Sequence, residues 1–440
     1  MRQSLILFIS IITMSIGYTQ EISNSLSLEE AIAYALENNR QSKNASRDID
    51  AAIKQKWEAI ASGLPQINGN VSYINNIERQ FPGIDFNNDG FIDIGAKQNI
   101  TPSATLNQLI FDGSYIVGLQ SAKVFLEISE NAKVKTDLEV RKSVINAYGN
   151  VLLAEESLKI FERNVDVLEK NLNDITKIYE NGLEEEESVE QLKITLSSVK
   201  SNLSNTKRLK DLSYQMLNIT LGLDINSDTI LTDNLETLAL KNMQLELLET
   251  NEDVKNIIDF KIAENNKVSK ELLVKLEQSK SLPTLSGFFT GSYIGNNEKF
   301  RFFSNSQPWV GTAAFGLNLD IPIFGSGLKS ARTQRAKINL EKSEDDLIET
   351  EQMIKLQIAS SKSEYKFAIE DYENKRENLN LAERIETKNQ TKFFEGIGSS
   401  FELRQAQTQL YTAQQEFLQA MLDVINSKAE LETILNTPIN

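Results

Sequence analysis

Apolar and polar positions follow two periods along this chain, and each period appears twice. From residue 66 to 74, Ile67, Gly69, Val71 and Tyr73 alternate with Asn68, Asn70 and Ser72, the two-residue period of a strand with one apolar face. Before Phe324 the alternation is cleaner. Trp309, Gly311, Ala313, Phe315, Leu317, Leu319, Ile321 and Ile323 take one side, against Thr312, Gly316, Asn318 and Asp320. Less regular strands are expected over 101–111 and 284–294. Leu64-Pro65 and Leu282-Pro283 each end a helix and open a strand pair.

After each pair the period becomes helical. Residues 114–180 contain no proline, and Gly118 and Gly149 are their only interior glycines; residues 328–395 contain neither residue type. Helices of roughly 65 residues at 1.5 Å per residue span about 100 Å, far beyond the usual globular helix. The shorter helices that follow carry heptad seams. Val189, Leu192, Leu196, Val199, Leu203 and Thr206 form one; Leu403, Ala406, Leu410, Ala413, Phe417, Ala420, Val424, Ser427, Leu431 and Ile434 form the other. Val165, Leu168, Leu172, Ile175 and Tyr179 face the first seam from the outgoing helix.

Leu-Pro, strand pair, long helix, turn and returning helix therefore recur with a period of roughly 215 residues, too long for a solenoid, which marks a duplicated half-protein. Residues 20–235 form the first repeat and 236–440 the second. Gly222–Leu240 is the joint, apolar enough to pack, so the two repeats are expected to form one interlocked body. Arg2, the apolar run from Leu5 to Ile16, and Gly17 with Thr19 read as a signal peptide over 1–19. No later run reaches the roughly 20 apolar residues of a transmembrane helix, so any membrane span must be a β-barrel.

The strand lengths suit a tilted membrane strand of about 9–11 residues, with Tyr73, Tyr293 and Trp309 where aromatic girdles sit. A soluble sandwich with one wet face is the alternative. Against it, four strands close no barrel and leave open edges in a monomer, whereas three copies give about twelve strands.

The chain has no cysteine and no histidine, which removes disulfides, thiol nucleophiles, the commonest zinc ligands and the usual neutral-pH proton shuttle. No spacing of the plentiful acids marks a catalytic pair, so no enzyme is expected. The formal charge of −16 disfavours nucleic acid and favours cations.

In LSLEEAIAYALENN at 26–39, the repeated Leu-Pro, Tyr179-Glu180-Asn181-Gly182-Leu183, and Gly396-Ile397-Gly398-Ser399-Ser400-Phe401-Glu402-Leu403 running into Leu410-Tyr411, the chain resembles the TolC family of outer-membrane efflux proteins. The resemblance covers nearly everything after the signal peptide. It implies a mainly α protein with a transmembrane β part, whose long coiled-coil hairpins form a periplasmic tunnel and whose four strands are one share of a 12-stranded trimeric barrel. It further implies an exit duct without catalysis or cofactor, in the outer membrane of a Gram-negative bacterium, surrounded by outer-membrane lipid. A periplasmic adaptor and an inner-membrane pump would be its partners in efflux or type I secretion.

Residue by residue, the resemblance places adaptor docking at the turns Gly182-Leu183 and Gly396-Ile397. It puts Glu402 at the tunnel entrance, with Gln405 at the family's second acidic position. Its polar latch positions fall on Ser188, Phe393 and Gly398, none able to form a charged tether. Glu402 alone also reads as a solvated carboxylate at a helix start. Glu184–Glu187 is an acidic run that suits a helix N-terminus.

Between the first two strands, Asp85, Asn87, Asp89, Phe91 and Asp93 stand as in an EF-hand loop, with Gly90 at position six and Ala96 where the bidentate Glu belongs. Two readings stay open: a weak calcium site in an extracellular loop, or a plain Asn/Asp/Gly turn. The competing function is an exported periplasmic coiled-coil scaffold, or an adaptor, with no channel. It leaves the duplicated strands unexplained.

Overall fold

The computed structural model describes residues 25–77, 96–250 and 253–436. In chain order the elements are β1 (Ser25–Leu26), α1 (Leu28–Asn38), α2 (Arg40–Ala61), β2 (Gln66–Asn75), β3 (Gln98–Phe111), α3 (Gly113–Glu180) and α4 (Glu186–Leu221). There follow β4 (Ile230–Leu231), α5 (Leu235–Lys241), α6 (Glu246–Glu249), α7 (Ile258–Ser279), β5 (Thr284–Asn297), β6 (Trp309–Asp320), α8 (Leu328–Phe394) and α9 (Ser400–Ile434). The duplication shows in the lengths: α2 and α7 have 22 residues each, α3 and α8 have 68 and 67, and α4 and α9 have 36 and 35. The signal-peptide residues 1–19 and the expected calcium ligands Asp85, Asn87, Asp89, Phe91 and Asp93 lie outside the described residues.

The chain forms two compact units that do not follow the sequence repeats, since each takes segments from both. The first unit holds the described residues up to Ser42, Leu138–Thr250 and Ser361–Thr433. Its interior is the predicted heptad seam: Val165, Leu168, Ile175, Val189, Leu192, Leu196 and Val199 pack together, joined by Phe393 and Leu403 from the second hairpin. The hairpins of the two repeats thus share one core. Polar contacts continue the seam, with Asn164 Nδ2 donating to Gln414 Oε1 at 2.9 Å.

The Gly222–Leu240 joint also packs in this unit, with Leu235 and Ala239 fully buried near its end. Helix α1 starts on a capping box, in which the Glu30 amide donates to Ser27 Oγ at 3.4 Å and the Ser27 amide to Glu30 Oε2 at 2.8 Å. The Asp233 carboxylate receives the Leu28 amide at 2.7 Å. The buried Tyr148 hydroxyl lies 2.9 Å from both the Asp233 carboxylate and the Leu26 carbonyl. One hydroxyl on α3 therefore ties down β1, the start of α1 and the joint.

The second unit holds the described parts of Lys43–Asp137 and Asn251–Ser360, with residues 434–436. It contains an antiparallel four-stranded sheet of order β2-β3-β5-β6. Strand β6 ends at Asp320, short of the alternation that runs to Ile323, because Pro322 supplies no ladder donor. Strand β3 starts at Gln98, earlier than expected, and its pairing with β5 lapses at Thr101 and Pro102 for the same reason. Asp112 caps α3, accepting the Ser114 amide at 2.7 Å, so the Phe111-Asp112-Gly113 turn commits the chain to a helix directly after the strand. Among the described residues, no helix is long and apolar enough to cross a membrane.

Replacing Tyr148 with Phe should lower the thermal midpoint of the helical circular dichroism signal. The Asp233 carboxylate and the Leu26 carbonyl keep the Leu28 and Thr232 amides, so the loss is that of one hydrogen bond, about 0.5–1.5 kcal/mol. An unchanged midpoint would show that the joint does not depend on this hydroxyl.

Candidate functional site

The register of the sheet sorts its side chains onto two faces. Residues directly opposite in an antiparallel ladder share a face. On one face lie Ile67, Gly69, Val71 and Tyr73 of β2; Leu106, Ala104, Pro102 and Ile100 of β3; Phe289, Gly291, Tyr293 and Gly295 of β5; and Phe315, Ala313, Gly311 and Trp309 of β6. The opposite face carries Asn68, Asn70 and Ser72, then Thr105 and Ser103, Thr290 and Ser292, and finally Ala314 and Thr312.

Hydroxyl pairs knit that polar face, Thr105 with Thr290 at 2.9 Å and Ser292 with Thr312 at 2.7 Å. Its large apolar groups are Phe288, whose ring lies across Gly316, and, toward the end of the sheet away from the helices, Ile74, Ile294 and Val310. The apolar face is bare, with Phe315 87% exposed and Leu317 69%. Tyr73, Tyr293 and Trp309 all fall at the end of the sheet away from the helices, as the strand ends in the sequence suggested. The outer edges of β2 and β6 have no partner strand among the described residues.

At the ends of the helical hairpins the two repeats converge on one geometry. Gly182 and Gly396 both take φ +75°, where a Cβ is strained. The Gly182 amide donates to the Tyr179 carbonyl at 2.8 Å and the Leu183 amide to Ile178 at 3.1 Å; Gly396 bonds Phe393 and Ile397 bonds Lys392, each at 3.0 Å. Each is a Schellman turn. Such turns often fold the following apolar side chain back on the helix. Here it stays out, with Leu183 79% exposed and Ile397 72%.

Ser188 is buried on α4, its hydroxyl 2.5 Å from the Glu184 carboxylate. Glu402 belongs to a second capping box. Its amide donates to Ser399 Oγ at 3.2 Å, and its carboxylate accepts the Ser399 amide at 3.1 Å. Those bonds, chiefly the one from the Ser399 backbone, hold the carboxyl below the usual glutamate range, with a smaller contribution from Lys392. Gln405, one turn on, is exposed.

Phe393 and Leu403 bury together in the shared core, which brings the end of α8 to the start of α9. Sequence reading missed Ser399 as the partner of Glu402, although Ser-x-x-Glu is a legible signature. It also missed Phe401, 56% exposed, with the Arg404 guanidinium 5.3 Å from its ring centre.

The comparisons with known proteins agree with this geometry. The family model for outer membrane efflux proteins matches residues 31–223 and 260–437, so the chain belongs to the outer membrane efflux protein family. It is 20% identical over 434 residues to outer membrane protein TolC of Salmonella enteritidis, covering 97% of this chain and 85% of that one. Its fold matches the Vibrio cholerae outer membrane protein VceC (TM-score 0.74, 16% identity, 94% of this chain and 97% of that). It equally matches the Campylobacter jejuni CmeC outer membrane channel (TM-score 0.74, 18% identity, 94% and 86%). The protein is an outer-membrane exit duct of the TolC family, a transport protein with a β part in the membrane and a helical part in the periplasm.

Because the Glu402 pKa is depressed, its capping box contributes fully above the ordinary glutamate value of about 4.3 and is lost as the pH falls through the lower folded value. Protection of the first α9 amides, corrected for intrinsic exchange, should hold from neutral pH to about 5 and decline below that. Glu402→Gln should make the profile flat. A second prediction concerns the turns. Gly396→Ala meets no steric contact, so the strained φ alone should cost about 1–2 kcal/mol and speed amide exchange around 393–400.

Proposed function

We propose that the protein works as a homotrimer in which the β6 edge of each copy pairs with the β2 edge of the next. The observation that carries this reading is the conjunction of two open edges with an exposed face that is apolar through its middle rows. An open edge exposes a row of unpaired backbone groups, and in hydrocarbon each such group costs several kcal/mol. Closure removes both edges. Strand β2 runs away from the helices and β6 back toward them, so pairing between copies is antiparallel, like every other pair in the sheet. Three copies give about twelve strands, with apolar side chains toward lipid and the Ser, Thr and Asn face toward the lumen.

A periplasmic adaptor docks on the helical turns. Leu183 and Ile397 give it apolar surface on rigid supports, and the exposed Phe401 adds to it. An inner-membrane pump supplies the energy. Glu402, with Gln405 beside it and Ser188 across the hairpin start, stands at the entrance, where three carboxylates favour cations. The bonds from Ser399 and the depressed pKa keep each of them ionised at neutral pH.

Planar-bilayer recording of the detergent-purified protein tests the entrance. Wild type should give small, long-lived, cation-selective steps under asymmetric salt, and Glu402→Gln should weaken that selectivity. Glutamine also suits the third position of a capping box, so the turn survives while the charge goes. Steps of unchanged selectivity would remove Glu402 from the entrance. A monomer that conducts nothing would remove the channel.

A further inference from the structure

The segment between β5 and β6 does not stand clear of the sheet. One row of the register runs from Tyr73 through Ile100 and Gly295 to Trp309, at the end of the sheet opposite the helices. Beyond it, the chain leaving β5 folds back across β3 and stacks on Tyr73 of β2. The Phe300 and Phe302 rings lie 5.6 and 6.1 Å from that of Tyr73, edge to face, and 5.5 Å from each other. Tyr73 belongs to the apolar face, so this strap lies on the outer side of the sheet and not over the polar face.

Its base is fixed. The Lys97 amide donates to Glu298 Oε1 at 3.4 Å, and Asn297 Nδ2 to Gln307 Oε1 at 2.6 Å. Phe302 is the anchor, only 2% exposed. Phe300 and Phe303 are left 57% and 86% exposed, next to an apolar face that is itself bare. Lys299 and Arg301 alternate with these rings, are exposed, and make no ion pair with any described residue.

We propose that Lys299–Phe303 is a clamp for anionic lipid headgroups in the outer leaflet. Phe300 and Phe303 extend the apolar face into the interfacial layer, while Lys299 and Arg301 meet the headgroup phosphates above it. The inference rests on the membrane-spanning reading of the sheet. Three features select lipid over a protein partner. The patch is continuous with the lipid-facing side chains, it sits level with Tyr73 and Trp309 in the girdle row, and its two cations complement phosphate. A long cationic side chain among interfacial rings buries its stem and lifts its charge to the headgroups.

Native mass spectrometry of the detergent-released protein, titrated with phosphatidylglycerol or phosphatidylcholine of matched acyl chains, tests the proposal. Wild type should retain phosphatidylglycerol preferentially. Each of Lys299→Gln and Arg301→Gln should weaken that retention about fivefold without altering phosphatidylcholine. Phe303→Ser should weaken both lipids. Millimolar inorganic phosphate should displace neither, because the rings hold the lipid as well as the cations.

A trimer that retains the two lipids equally, or whose phosphatidylglycerol retention survives the double substitution, overturns the clamp and leaves the barrel intact. Displacement by inorganic phosphate alone would make this a simple anion site and also overturn it. The same spectra show the subunit count, so a monomer would refute the reading on which the clamp rests.

Discussion

An antiparallel sheet with one predominantly apolar face and two edges unpaired among the described residues is the constraint on which the rest of this protein depends. A single chain satisfies neither requirement. Its apolar face needs hydrocarbon, and its edges need strands that the chain does not contain among its described residues. Membrane insertion without closure would leave the β2 and β6 edge groups unbonded in lipid. Closure without a membrane would turn Phe315, Leu317 and Ile67 to water. Both demands are met together by a ring of copies whose polar faces line a common interior.

The helical unit answers a different demand. A helix as long as α3 or α8 is not stabilised by propensity alone; it needs a partner along its length. The partners are its own returning helix and the neighbouring hairpin, since α3 meets α9 from Arg141–Glu432 to Asn164–Gln414 and Phe393 and Leu403 of the second repeat enter the core of the first at the tip. That shared core places two identical Schellman turns side by side. Their exposed Leu183 and Ile397 are held by backbone geometry, which is what a rigid docking surface requires. Duplication of the sequence thus becomes repetition of an exposed apolar turn.

Much of this was legible in the residues. Periods of two and three-and-a-half, bracketed by Leu-Pro and Gly, located the four strands and the long helices to within a few positions. The alternation in β6 identified its apolar face unaided. In β3 and β5 the same face was obscured, because Gly287, Gly291 and Gly295 carry no side chain to count and Phe288 lies on the polar side over Gly316. Only the register resolves those strands. The role of Glu402 in capping α9 was written in Ser399-x-x-Glu402, yet a charge at a helix start does not by itself announce its partner. The strap was invisible for a deeper reason. Phe300, Phe302 and Phe303 follow no period, and their meaning comes from Tyr73, more than two hundred residues away in the chain.

The absence of cysteine makes the central claim directly testable. Within one chain β2 and β6 are separated by β3 and β5, three strand spacings or about 14 Å, beyond the reach of a disulfide. Val71→Cys should therefore be combined in turn with Ala313→Cys, Phe315→Cys and Leu317→Cys, and the protein oxidised in its native membrane. The account predicts that at least one pair yields a non-reducing ladder of dimer and trimer that stops at trimer. No cross-link from any pair, or a ladder running past trimer, would contradict closure of the sheet by three copies.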